Sequence, residues 1–248
     1  YKRLAFTSRL LRHCSYCRVM QNNAHLRPHL PVIHQCNIEN SNRRIQMLSY
    51  KTVDTHTQDI LKQISAAPEF SGLRLVGGTS LALQYGHRKS IDLDFFGTFS
   101  ENTLFSDILR KLGQLSIIKE TSGIKIYLID GIKVDFVYYD YPWLTPPLQT
   151  DDLTLATPPD IAAMKVNALE GRGSKKDFID LYYLLQHYTI DDILNFYQQK
   201  YPEHSIFRAL MSMSYFNDAD NQPMPYMFNN VSWEEIKQHI IDILKHYS

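Results

Sequence analysis

The sequence predicts an α+β fold, with a mixed α/β half over residues 47–148 and an α-helical half over residues 149–248. Three observations carry this reading. Short apolar runs of β type alternate with glycine and Asp-Gly turn signals between Leu73 and Tyr138. Beyond Pro146-Pro147 the apolar residues recur at helical spacing. A step in composition near Met47 sets both halves apart from what precedes them.

Taken in order, Asp54–Ala66 reads as an amphipathic helix with Ile60, Leu61 and Ile64 on one face, ended by Pro68 and Gly72. Leu73–Val76 is a short apolar strand running into Gly77-Gly78, and Thr79–Tyr85 a helix opening on that pair. Ile91–Phe96 returns as a strand, and Asn102–Leu112 as a helix ending at Gly113. Leu115–Lys119, Ile124–Ile129 and Lys133–Tyr138 are three further strands, the last two joined by Asp130-Gly131, a strong hairpin signal. Ile161–Leu169, Lys176–His187, Ile190–Gln199 and Trp233–Tyr247 then read as helices, and Asn217–Tyr226, with Pro223 and Pro225, as a loop.

The formal net charge of zero, from 26 basic and 26 acidic residues, is a sum of unlike parts. Residues 1–46 hold eight basic side chains against the single acid Glu39, so the remainder is as acidic as this segment is basic. The segment also holds all three cysteines. Cys14, Cys17, His25 and His29 are zinc-ligand types, but the seven residues between the pairs fall short of the usual finger spacing of about 12. A transit peptide would need an amphipathic repeat that is missing, and a basic arm for RNA is a further reading. The expectation is a basic leader, non-native or translated from upstream, to be set aside in reasoning about the fold. What remains is cysteine-free, which points to no disulfide framework and to a reducing cytoplasm. A hydrophobic content of 44% excludes wholesale disorder, and no apolar run approaches the roughly 20 residues of a membrane span.

Four clusters carry candidate chemistry. Gly77-Gly78-Thr79-Ser80 lies between a strand and a helix, where backbone N–H groups bind anions; a structural glycine turn is the plainer reading. Asp92 and Asp94 are two apart in a strand and so share a face, where paired carboxylates repel unless a cation such as Mg²⁺ or Mn²⁺ lies between them. Two solvated acids on a strand edge would look the same. Asp135, flanked by Val134 and Phe136, makes sense as a third metal ligand if its strand lies beside that of Asp94, and otherwise as an edge position. The fourth cluster is helical. Asp160 reads as a helix cap, Lys165 lies one turn on, and Asp177 and Asp180 share a face behind Lys176, all also readable as surface charge. Together they are the parts of a metal-dependent phosphoryl or nucleotidyl transfer site.

Residues 77–96, GGTSLALQYGHRKSIDLDFF, closely resemble the signature of the AbiEii/AbiGii toxin-type nucleotidyltransferases of the polymerase β-like superfamily, and Val134-Asp135, Asp160–Ala168 and Lys176–Leu181 follow in that family's order. The likeness spans roughly residues 50–190. It implies a polymerase β-like core in which Gly77, Gly78, Thr79 and Ser80 hold nucleotide phosphates and Arg88 adds a phosphate contact. Asp92 and Asp94 would coordinate the metal, with Asp135 as third acid. Lys165 would take part in catalysis and meet phosphate or nucleotide, Lys176 and Asp180 would join the nucleotide-binding set, and Asp177, also catalytic, would with Asp180 order the far wall or act on the acceptor. Phe178 departs from members that carry Lys or Arg there.

The implied reaction is attack by a hydroxyl of tRNA or a protein on the α-phosphate of a nucleoside triphosphate, in a toxin that has an antitoxin partner and no membrane association. The acidic domain disfavours a broad RNA surface, although Arg172, Lys175 and Lys176 form a local basic patch. The rival is a nucleotide-sensing or interaction module without turnover, against which the intact Asp92, Asp94 and Asp135 set speaks.

Overall fold

A seven-stranded mixed sheet separates two hydrophobic cores in the computed structural model, which describes residues 47–100 and 103–247. The strands are β1 (Leu73–Leu75), β2 (Leu93–Gly97), β3 (Leu115–Glu120), β4 (Ile124–Ile129), β5 (Ile132–Tyr138), β6 (Leu148–Thr150) and β7 (Leu153–Leu155). Their order is β3-β4-β5-β2-β1-β7-β6, parallel at β5/β2 and β1/β7 and antiparallel elsewhere. The helices are α1 (Thr55–Ala66), α2 (Gly77–Tyr85), α3 (Phe105–Leu109), α4 (Pro158–Gly171), α5 (Lys175–Leu185), α6 (Ile190–Lys200), α7 (Ile206–Met213), α8 (Asn217–Asp220) and α9 (Trp233–Tyr247). None of the described helices is long and apolar enough to cross a membrane.

Local chemistry accounts for the element ends. Asp54 caps α1 by accepting from Thr57 N at 3.0 Å, and Thr189 and Asp192 form a reciprocal capping box on α6. Asp130 and Gly131 both take positive φ, as the tight β4–β5 hairpin requires. One face of the sheet packs Leu93, Phe95, Tyr127, Val134 and Phe136 against Ile60, Leu61 and Ile64 of α1. A second core is built from α4, α5, α6 and α9. Helix α2 enters both, Leu83 in the first and Leu81 in the second.

Several elements differ from expectation. The stretch after Pro146-Pro147 begins with strands β6 and β7 before it turns helical, their apolar alternation being too short to register as a pattern. Helix α3 begins at Phe105, while Asn102, where it was expected to start, lies outside the described residues. The loop expected at 217–226 opens with the short helix α8, and its continuation returns to the other half. Met227 bridges Arg88, Lys89 N donates to Tyr226 O at 2.9 Å, and Phe228 N donates to His87 O at 3.0 Å. The zinc-type residues Cys14, Cys17, His25 and His29 lie outside the described residues.

Asp160 is not the cap of α4, a place taken by Thr157. It sits in the first turn, fully buried, where its Oδ1 accepts from Lys200 Nζ at 2.7 Å and from Leu144 N at 3.0 Å. Lys200 is equally buried, donates to Pro142 O at 2.8 Å, and lies over the rings of Tyr139 and Trp143. This pair pins α4, α6 and the loop after β5 together. Lys200→Met leaves Asp160 charged and unpaired, so urea unfolding should show a loss of about 3–5 kcal/mol, partly recovered by adding Asp160→Asn.

Candidate active site

The two glycines that open α2 are each required by a different neighbour. Gly77 has a φ of +67°, and a Cβ there would lie 2.5 Å from Asp94 Oδ2. A Cβ on Gly78 would lie 2.2 Å from Arg88 Nη2. A carboxylate and a guanidinium thus press against adjacent backbone units at the start of one helix. No side chain caps α2, whose N-cap is Val76, so its first N–H groups are left for an anion or water.

The carboxylate side comes from the sheet. In the parallel β2/β5 pair Asp94 is registered opposite Asp135, as the alternation of both strands suggested. Leu93 and Phe95 turn into the first core, which leaves Asp94 on the opposite face. Burial first, and the neighbouring Asp135 next, push the Asp94 carboxyl up to about 6. Asp135 Oδ1 is buried without a hydrogen-bond partner, while Oδ2 takes an ion pair from Lys133. Asp92 lies just outside β2, which begins at Leu93.

An orphaned carboxylate oxygen beside a second carboxylate of raised pKa fits a divalent cation, for which hard oxygen donors are the right chemistry. Yet among the described residues no three His, Cys, Asp or Glu side chains are gathered to hold an ion, so the expected trio of Asp92, Asp94 and Asp135 is not assembled as such.

The cationic side comes from the helical half. Asp180 on α5 is fully buried and accepts four hydrogen bonds or ion pairs: His87 Nε2 at 2.8 Å and Arg88 Nε at 2.7 Å on Oδ1, Arg88 Nη2 at 2.8 Å and Lys165 Nζ at 2.6 Å on Oδ2. Lys165 on α4 also donates to Asp177 Oδ1 at 2.9 Å, and Asp177 Oδ2 accepts from Arg172 Nε at 3.0 Å and Ser174 Oγ at 2.6 Å. Burial lowers the His87 pKa and leaves the imidazole neutral. Three cations therefore face two carboxylates, and one positive charge is left in excess next to the uncapped helix.

This geometry revises several expected contacts. Arg88 is only 2% exposed, its guanidinium hydrogen-bonded to Asp180 and Lys89 O and packed on the backbone of Gly78. Lys165, expected on phosphate, is buried with its ammonium engaged by Asp177 and Asp180. The Thr79 hydroxyl donates to Asp92 O and contacts Ser90 Oγ, and the Ser80 hydroxyl accepts from Gln84 Nε2. Phe178 is a core residue whose ring meets Phe216 at a tilt and Trp233 edge to face. Lys176 is exposed, whereas Lys175 of the same basic patch is buried on Asp220 O. Lys133 went unread, although its two-residue spacing from Asp135 on a strand was a sufficient signal.

A family profile described as nucleotidyl transferase AbiEii toxin, type IV toxin–antitoxin system, matches residues 59–245. The chain belongs to the AbiEii family. It is a nucleotidyltransferase of the toxin type, with the mixed α+β architecture expected. An uncharacterized protein of Aquifex aeolicus is 36% identical over 183 residues, covering 70% of this chain and 86% of that one. Among solved structures, a candidate nucleotidyltransferase of Helicobacter pylori has the same fold, with a TM-score of 0.50, 18% identity, and coverage of 77% of this chain and 91% of that one. MenT4, a nucleotidyltransferase toxin of Mycobacterium tuberculosis, gives a TM-score of 0.49 at 16% identity, over 76% of this chain and 81% of that one.

Two consequences of the AbiEii site geometry are measurable. Gly78→Ala places a methyl group on Arg88 Nη2 and should lower the melting temperature, whereas an unchanged value would show that Arg88 can move aside. Asp177 and Asp180 are both held below the usual carboxylate range despite burial, Asp177 chiefly by Lys165 and Asp180 by Arg88 and Lys165. Their stabilisation is therefore complete above the unfolded value of about 4 and is lost as pH falls through the folded values. Urea stability should decline steeply below about pH 4, and Asp180→Asn should flatten that decline.

Proposed function

We propose that this AbiEii chain moves a nucleotidyl group from a nucleoside triphosphate to a hydroxyl of tRNA or a protein, with Mg²⁺ or Mn²⁺ on Asp94 and Asp135. The observation that carries the reading is Asp94, which lies directly on the glycine that opens an uncapped helix and is registered opposite Asp135 on the next strand. Carboxylates and free backbone N–H groups within one residue's reach suit a metal-bound triphosphate, which needs acids for its cation and donors for its phosphates.

The ion, when bound, would polarise the phosphate and favour ionisation of the attacking hydroxyl. The chain supplies the rest. The N-terminus of α2 holds phosphate oxygens, with Gly77 and Gly78 allowing close approach. The excess positive charge of Arg88, Lys165 and Arg172 lies behind the turn and offsets the charge of the triphosphate without touching it. Asp92 stands at the edge of the pair, available to a cation once a nucleotide completes the ligand set. Arg172, whose side chain is 70% exposed, and exposed Lys176 present cations where a polyanionic acceptor would approach.

An antitoxin partner follows from the family's type IV toxin–antitoxin description. Triphosphates and tRNA are cytoplasmic, and we place the reaction there.

Labelled triphosphates, each with Mg²⁺ and either total tRNA or a cell lysate, test the reading. Label should pass to an RNA or protein band, and Asp94→Asn or Asp135→Asn should reduce transfer about a hundredfold or more while circular dichroism stays unchanged. Full activity in both variants would overturn it. Tight nucleotide binding with no transfer under any condition would favour a sensor.

A further inference from the structure

We infer that Lys133 is a built-in counter-ion of the acidic pair: its ammonium, held on Asp135 Oδ2, competes with a divalent cation for the charge of that carboxylate, and lets go when the cation arrives. The inference rests on the proposed cation site at Asp94 and Asp135.

Four observations carry it. Lys133 and Asp135 are two apart on β5, so their side chains leave the same face of the sheet, and the Lys133 ammonium is paired with Asp135 Oδ2. The other oxygen of that carboxylate is buried and has no partner, and Asp94 lies in register across the parallel pair. Asp135 therefore has one oxygen on a lysine and one unused, beside a second carboxylate. The other nearby lysine, Lys165, is held by Asp177 and Asp180, with its side chain only 7% exposed. The Lys133 side chain is 40% exposed and, among the described residues, makes this one ion pair, so its flexible stem can swing the ammonium into water without opening the fold.

An ordinary surface ion pair of this exposure would contribute little. What distinguishes this one is the second carboxylate. Two carboxylates side by side repel in the absence of a cation, and Lys133 offsets that repulsion in the metal-free protein. The same contact must be broken before a divalent ion can use Asp135 Oδ2. Lys133 then sets how much free cation the protein needs, favouring occupancy only where the ion out-competes a tethered ammonium.

The experiment uses the full chain and Mn²⁺ alone, with no nucleotide, and reads bound Mn²⁺ by electron paramagnetic resonance. Lys133→Met keeps the apolar stem and removes the charge. Lys133→Gln serves as a second neutral variant, Lys133→Arg retains the charge, and Asp135→Asn marks binding at this site. An opposite charge at this range changes a carboxylate's affinity for a cation by about ten- to a thousandfold. Both neutral variants should therefore bind Mn²⁺ at least about tenfold more tightly than the parent chain, with Lys133→Arg close to it. The neutral variants should also melt lower without Mn²⁺ and gain more from its addition.

Equal or weaker binding in Lys133→Met and Lys133→Gln, with binding still abolished by Asp135→Asn, would overturn the counter-ion role and leave the cation site standing. No Mn²⁺ bound by any variant, or binding indifferent to Asp135→Asn, would overturn both.

Discussion

The arrangement hangs on one buried carboxylate. Asp180 has no exposed surface and lies in the helical half, yet two of its partners, His87 and Arg88, belong to the segment that follows α2, and the third, Lys165, comes from α4. A buried carboxylate is costly unless every lone pair is answered, and here four donors answer it. Satisfying Asp180 therefore brings α2, α4 and α5 to one point. Arg88 in turn fits only because residue 78 has no side chain, so the electrostatics of the helical half dictate the sequence of a turn in the other half.

The site consequently has two electrical sides. Asp94 and Asp135 come from parallel strands whose alternate residues are anchored in the first core, while Arg88, Lys165 and Arg172 are collected by acids of the helical half. Burial acts in opposite directions on the two. It raises the carboxyl of Asp94, which has a like charge beside it, whereas Asp177 and Asp180 stay ionised because surrounding cations outweigh the same burial. The N-terminus of α2 lies at the junction and is exposed to the influence of both.

Much of this was legible in the residues. Strand alternation around Asp94 and Asp135 announced their shared face, the Asp130-Gly131 turn fixed the β4–β5 hairpin, and the helical spacing of α4, α5, α6 and α9 survived into the structure with shifts of a few residues. What escaped notice were partnerships. A lysine at 165 or an arginine at 88 looks like a ligand contact in a motif, because sequence spacing does not say which acid a long side chain will reach. Thr79 and Ser80 misled for a similar reason, their hydroxyls being used by Asp92 O, Ser90 and Gln84, which a linear reading cannot place beside them. Strands β6 and β7 were missed because three residues are too few to show a period. Asp160 kept the polar role expected at a helix start, but its reward is Lys200, forty positions away.

The register of β2 against β5 also bears on when the site can assemble during synthesis. Asp94 meets Asp135 only after β3, β4 and β5 have been made, and the turn at Gly78 is stabilised only once Asp180 has been made. Chains grow from the N-terminus, and pairings between distant residues form late. A ribosome-bound fragment that already carries the whole glycine motif would still lack the partners that shape it. The glycine turn therefore takes its final form only after residue 180 has been made, well after the motif itself.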